Sequence, residues 1–145
     1  MLQHITLHLA RSSEFPEGSA ERGYEIVAPV DASSHLDPSE WRKFKTQCRV
    51  RRFSPEESDR LGVLLHHTGG SGVATWRLHY DGQARVYEEK GVHLETRRFA
   101  EGEYLSLRDE EGRLNTFKID RMRPVAPNSE RVSGAAWLPA RSHQA

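Results

Sequence analysis

The chain has very little cysteine. Cys48 is its single thiol in 145 residues. An intramolecular disulfide is therefore excluded, and so is a metal site built from several thiolates. The chain lacks a long apolar run, and nothing approaches the ~18 residues that a membrane-spanning helix needs. It also lacks a surplus of either charge, with 21 Lys and Arg against 21 Asp and Glu. That balance removes the global electrostatic case for nucleic acid or an anionic membrane. It also weakens repulsion between copies, which leaves a homodimer open. No Gly-x-Ser-x-Gly elbow occurs, and Gly69-Gly70-Ser71-Gly72 lacks the lysine and following helix of a phosphate loop. The opening Met1–Ala10 is too polar for a signal peptide, so the expected location is cytoplasmic.

What the chain does have is alternation. Ile5, Leu7 and Leu9 alternate with Thr6, His8 and Ala10, the period of a half-buried strand. Tyr24, Ile26, Ala28 and Val30 repeat the pattern after a polar loop at 11–22, and Pro29 marks a strand end. Trp76, Leu78 and Tyr80 alternate with Thr75, Arg77 and His79, and Asp81-Gly82 follows as a hairpin signal. Further strands are expected at 48–53, 62–67, 84–89, 91–98, 103–108 and 114–122, with an acidic turn over Ser54–Arg60. Gly102 and Gly112 stand where tight turns need positive φ. One helix is expected over about 38–47. Asp37 caps it, Pro38 fills its first position and Glu40 completes a near capping box. Trp41, Phe44 and Cys48 share its apolar face. The fold class is mainly β, a small antiparallel barrel or sandwich with one short helix, formed by a single domain over 1–125. Residues 126–145 are expected to form a flexible tail in which Trp137 and Leu138 stand out.

The function classes separate on three clusters. The first is basic: Arg42, Lys43, Lys45, Arg49, Arg51 and Arg52, interleaved with Trp41, Phe44 and Phe53. Basic plus aromatic residues can grip phosphates and stack bases, although a solvated helix face followed by a charge-guarded edge strand gives the same pattern. The second is a set of possible metal ligands, His66, His79, His93 and Glu95, on neighbouring expected strands. Against it, His79 alternates with the large apolar residues and so belongs to the solvent face. The third is Cys48, whose apolar helix face argues for a buried, inert thiol.

Gly91-Val-His93-Leu-Glu95 with Gly102-Glu103-Tyr104 faintly resembles the cupin barrels, which take metal ligands from adjacent strands; their His-x-His is missing here. A broader resemblance rests on Phe15-Pro-Glu-Gly18-Ser-Ala-Glu-Arg-Gly23-Tyr24, on Trp41-Arg-Lys through Cys48-Arg-Val-Arg-Arg-Phe53, and on Phe99-x-x-Gly102-Glu-Tyr through Thr116-Phe-Lys. These segments look like a group of small, uncharacterised bacterial proteins, chiefly proteobacterial. The resemblance implies a stand-alone domain and carries no activity, cofactor or catalytic residue.

The expected function is a binding or interaction module without catalysis and without a cofactor. Its surface would use Trp41, Arg42, Lys45, Arg49, Arg51 and Arg52, and its partner would be a protein or a small ligand. The alternatives are a metal-dependent, cupin-like barrel enzyme holding one transition-metal ion on His66, His79, His93 and Glu95, and a nucleic-acid binder that grips the phosphate backbone.

Overall fold

The computed structural model describes residues 1–68, 74–80, 87–91, 93–109 and 111–126. The turn expected at Gly69–Gly72, the Asp81-Gly82 hairpin, residues 84–86 of an expected strand, and the tail with Trp137 and Leu138 lie outside the described residues. The elements run β1 (Leu2–Leu9), β2 (Ser19–Pro29), α1 (Pro38–Phe44) continued by a 3-10 turn (Lys45–Gln47), β3 (Arg49–Ser54), β4 (Glu57–Thr68) and β5 (Ala74–Tyr80). They continue with β6 (Tyr87–Gly91), a second 3-10 turn (Leu94–Thr96), β7 (Tyr104–Arg108) and β8 (Leu114–Pro124). Each strand pairs antiparallel with the next, and β8 returns to β1, so the sheet closes into an up-and-down barrel.

The alternation seen in the sequence decides what points inward. His66 opposes Trp76, Leu64 opposes Leu78, and Gly62 opposes Tyr80. Leu64, Trp76, Leu78 and Tyr80 are all nearly inaccessible, as are Ile5, Leu7, Val50, Leu105 and Ile119 from the surrounding strands. An eight-stranded barrel is just wide enough for side chains to fill it or to hold one small ligand. Here large side chains fill the middle.

Three expectations are corrected. The strand expected over 91–98 ends at Gly91. His93 adopts left-handed backbone angles (φ 53°), and the chain turns through Leu94–Thr96. This departure buries Leu94 and Phe99 at one end of the barrel, and Phe99 N–H donates to Ser34 O at 2.6 Å. The acidic turn expected over Ser54–Arg60 shrinks to Pro55–Glu56, because β4 already begins at Glu57 and pairs Arg60 with Arg52. Strand β2 begins at Ser19 inside the expected loop, joined to Leu9 across a bulge.

Gly62 has a geometric reason. A Cβ there would stand 2.0 Å from the His79 carbonyl oxygen and 2.8 Å from Tyr80 Cα. Backbone, not a flexible side-chain tip, would have to give way. Gly62→Ala should therefore lower the unfolding free energy by about 1–3 kcal/mol in urea titration, the usual cost of overpacking. An unchanged midpoint would remove close strand approach as the reason for the glycine.

Candidate functional site

Helix α1 is set by its first residues. The Asp37 carboxylate accepts from Ser39 N–H at 3.1 Å and Glu40 N–H at 3.3 Å, and Pro38 occupies the first helical position. A cap of this kind contributes about 1 kcal/mol. Burial pushes the Asp37 pKa up, but the hydrogen bonds from Glu40 and Ser39 outweigh it and hold the carboxyl below its ordinary range. Glu40 does not close a capping box. Its Oε1 takes the Met1 ammonium instead.

Trp41 turns inward. Its indole N–H donates to Leu64 O at 2.9 Å, and its ring meets Trp76 edge-on at 6.2 Å between centroids. His66 completes the cluster, 4.5 Å from Trp76 and 5.9 Å from Trp41. The helix thus closes one end of the barrel with an aromatic plug. Once Trp41 is buried, a helix of seven residues must turn its other side chains out. Arg42 and Lys43 are exposed, as are Lys45 on the following turn and Arg49 at the start of β3.

These cations share with Arg11, Arg108, Lys118, Arg121 and Arg123 the lack of a described ion pair, and are set apart by their clustering around α1. Among the described residues, no carboxylate stands within ion-pair range of Arg42, Lys43, Lys45, Arg49 or Arg97. Lys45 has only the Trp41 ring, 5.8 Å away. Other arginines are matched: Arg22 with Glu56, Arg51 with Glu25 and Asp59, Arg60 with Glu57, Arg113 with Asp109. Asp31, just before the helix, is engaged in local bonds. Asp31 accepts from His35 N–H, from Ser33 Oγ–H and from Ser33 N–H, which hold its carboxyl below the ordinary range.

The sequence-derived surface is therefore split. Arg42, Lys45 and Arg49 stay on it. Trp41 leaves for the core. Arg51, 7% exposed, is locked on the outer wall between Glu25 (2.9 Å) and Asp59 (2.8 Å). Arg52 alternates to the inner side, with its guanidinium 6.0 Å from the Tyr24 ring. Lys43 and Arg97 join the exposed set. Arg97 was hidden from sequence reasoning because its segment read as a strand.

The four expected metal ligands do not converge. His66 points inward beside Trp76, while His79, opposite Val63, lies on the other face of the same sheet. His93 is exposed at a left-handed corner with Glu95 3.7 Å away. Among the described residues, no group of three or more His, Cys, Asp or Glu side chains could hold one ion. A Ser-His-Asp trio that sequence reading missed is also unsuited to acyl transfer. Ser33 Oγ lies between Asp31 (2.8 Å) and His35 Nδ1 (3.1 Å). A catalytic triad needs the histidine in the middle; here the serine proton goes to the aspartate, and the trio shapes a loop.

No family model, curated protein or solved structure matches the chain.

Two groups at this end give checks. Cys48 is inaccessible, its Sγ–H donates to Phe44 O at 3.4 Å, and burial, with Glu40 nearby, pushes its pKa up to about 12. The native protein should resist iodoacetamide at pH 8 and react once unfolded, as followed by mass spectrometry. Fast labelling of the folded form would contradict the burial. His66 is held below the ordinary imidazole value, first by burial and then by repulsion from Arg42 and His67, with Glu95 opposing. Its charged form is disfavoured in the folded state. Stability should therefore decline as pH falls below the unfolded-state value of ~6.5 and on through the folded pKa. His66→Gln should flatten that decline in denaturation curves measured from pH 7.5 to 5.

Proposed function

We propose that this chain is a non-catalytic binding module that docks an acidic protein surface on the helix-closed end of its barrel. The observation that carries the reading is the clustering of exposed cations around α1. In a chain with zero formal net charge, Arg42, Lys43, Lys45, Arg49 and Arg97 lack carboxylate partners among the described residues. An acidic partner would supply them, which favours rapid, oriented encounter over high intrinsic affinity. The buried thiol suits a cytoplasmic setting.

A protein partner is favoured over nucleic acid on one point. Single-strand binders offer aromatic faces on which bases stack, and here Trp41 is spent on the core. A phosphate grip would also want Arg51 and Arg52, and neither belongs to this surface.

The test is chemical-shift mapping at low salt with a ten-residue polyglutamate peptide and, separately, a ten-nucleotide single strand. The peptide should move the amides of Arg42–Arg49 and of Arg97. The Arg42→Glu, Lys45→Glu double variant should lose this binding while keeping its circular dichroism spectrum. Tighter binding of the oligonucleotide, with an affinity falling steeply in salt, would favour the nucleic-acid reading. Shifts confined to other regions would displace the surface.

A further inference from the structure

The outer wall of the barrel carries an aliphatic row beside the cationic end. Leu64 points inward, so its odd-numbered neighbours on β4 point outward. Leu61, Val63 and Leu65 therefore stand in line on the outside, and all three are half-buried. Outward positions of an antiparallel sheet that faces water are normally polar. The row spans about 13 Å at the rise of a strand. At its helix end Leu65 and Phe44 both pack partly against the core. The turn Lys45–Gln47 is seated there, because Leu64 N–H donates to Cys48 O at 2.8 Å just after it. The row thus runs into the surface proposed above for an acidic partner.

Strand register sets the charges that border the row. Arg49 lies opposite Val63 and Arg51 opposite Leu61. Arg51 is held by Glu25 and Asp59. On the β5 side His79 lies opposite Val63 and Arg77 opposite Leu65, and both are already engaged. The acids that β3, β4 and β5 contribute among the described residues are Glu57 and Asp59. Both stand beyond the Leu61 end, bound to Arg60 and Arg51. An incoming apolar segment therefore meets exposed cations at Arg49 and Lys45, with the acids of these strands committed elsewhere. The backbone of β4 is paired on both sides, so an occupant cannot add as a strand and must bring side chains. A helix offers apolar side chains at i, i+4 and i+7 on one face, spread over about 11 Å.

We propose that the acidic partner docks as an amphipathic helix. Its apolar face lies along Leu61, Val63 and Leu65, and its flanking carboxylates meet Arg49 and Lys45. This inference rests on the acidic-partner reading and names the form in which that partner binds.

The test uses two fourteen-residue helical peptides, titrated into the full chain at low salt. Both carry glutamates on their flanks. One has leucine and the other alanine at i, i+4 and i+7. The leucine peptide should bind about tenfold tighter and should shift the methyl resonances of Leu61, Val63 and Leu65. The Leu61→Thr, Val63→Thr double variant keeps strand-favouring residues on the wall. It should remove the leucine advantage and leave the affinity of the alanine peptide unchanged. Equal affinity of the two peptides, with shifts confined to α1 and its following turn, would overturn the helical-partner inference while the acidic-surface reading stands. Failure of both peptides to bind would sink both. Methyl shifts along the row that follow protein concentration without peptide would assign it to a second copy of the chain and overturn the proposal. The peptide comparison uses the unaltered protein, so it decides even where the threonine variant fails to fold.

Discussion

The insertion of Trp41 into the barrel end is the constraint on which the rest depends. Its indole N–H reaches the Leu64 carbonyl, and its ring closes on Trp76 and His66. A buried tryptophan contributes large apolar area, and its N–H needs a partner when it is buried. Meeting both needs at one carbonyl fixes the position and rotation of a helix too short to persist alone. That rotation turns Arg42 and Lys43 to the surface.

The plug also makes the barrel asymmetric. Leu94 and Phe99 leave the wall to pack at the helix end, and the chain pays with a left-handed residue at His93. Toward the other end Tyr24 and Phe117 pack edge-to-face beside the β1–β2 loop and the β3–β4 turn. With the middle filled by Trp76, Leu78 and Tyr80, a ligand cannot enter deeply.

Charge pairing follows the same division. On the outer wall Arg51 is held by two carboxylates from neighbouring strands and lies 4.5 Å from the Phe53 ring centroid. Replacing either acid would leave the nearly buried guanidinium with only part of its compensation, which is costly. Its role is to hold β2, β3 and β4 in register. The exposed cations around α1 have no such duty. Exposed charges without local partners contribute little to stability, so the fold gives no structural reason for their clustering.

The sequence by itself determined the β class, the alternation that fills the core, the turn glycines, and the start and approximate length of the helix. Each is a local property: period two places Trp76, Leu78 and Tyr80 on one face, and Asp37-Pro38 starts a helix whatever surrounds it. It also assigned His79 to the solvent face, because strand faces follow from parity. Closure of the barrel, by contrast, is decided by β1 meeting β8 across more than a hundred residues. The same long-range pairing explains why six neighbouring basic and aromatic residues did not become one surface. Trp41 went to the core, Arg51 to a bridge between strands, and Arg52 to the inner side beside Tyr24. Those destinations depend on which strands stand beside β3 and what lies over each end. Only the tertiary structure could decide them, because the partners Leu64, Glu25, Asp59 and Tyr24 come from separate stretches of the chain.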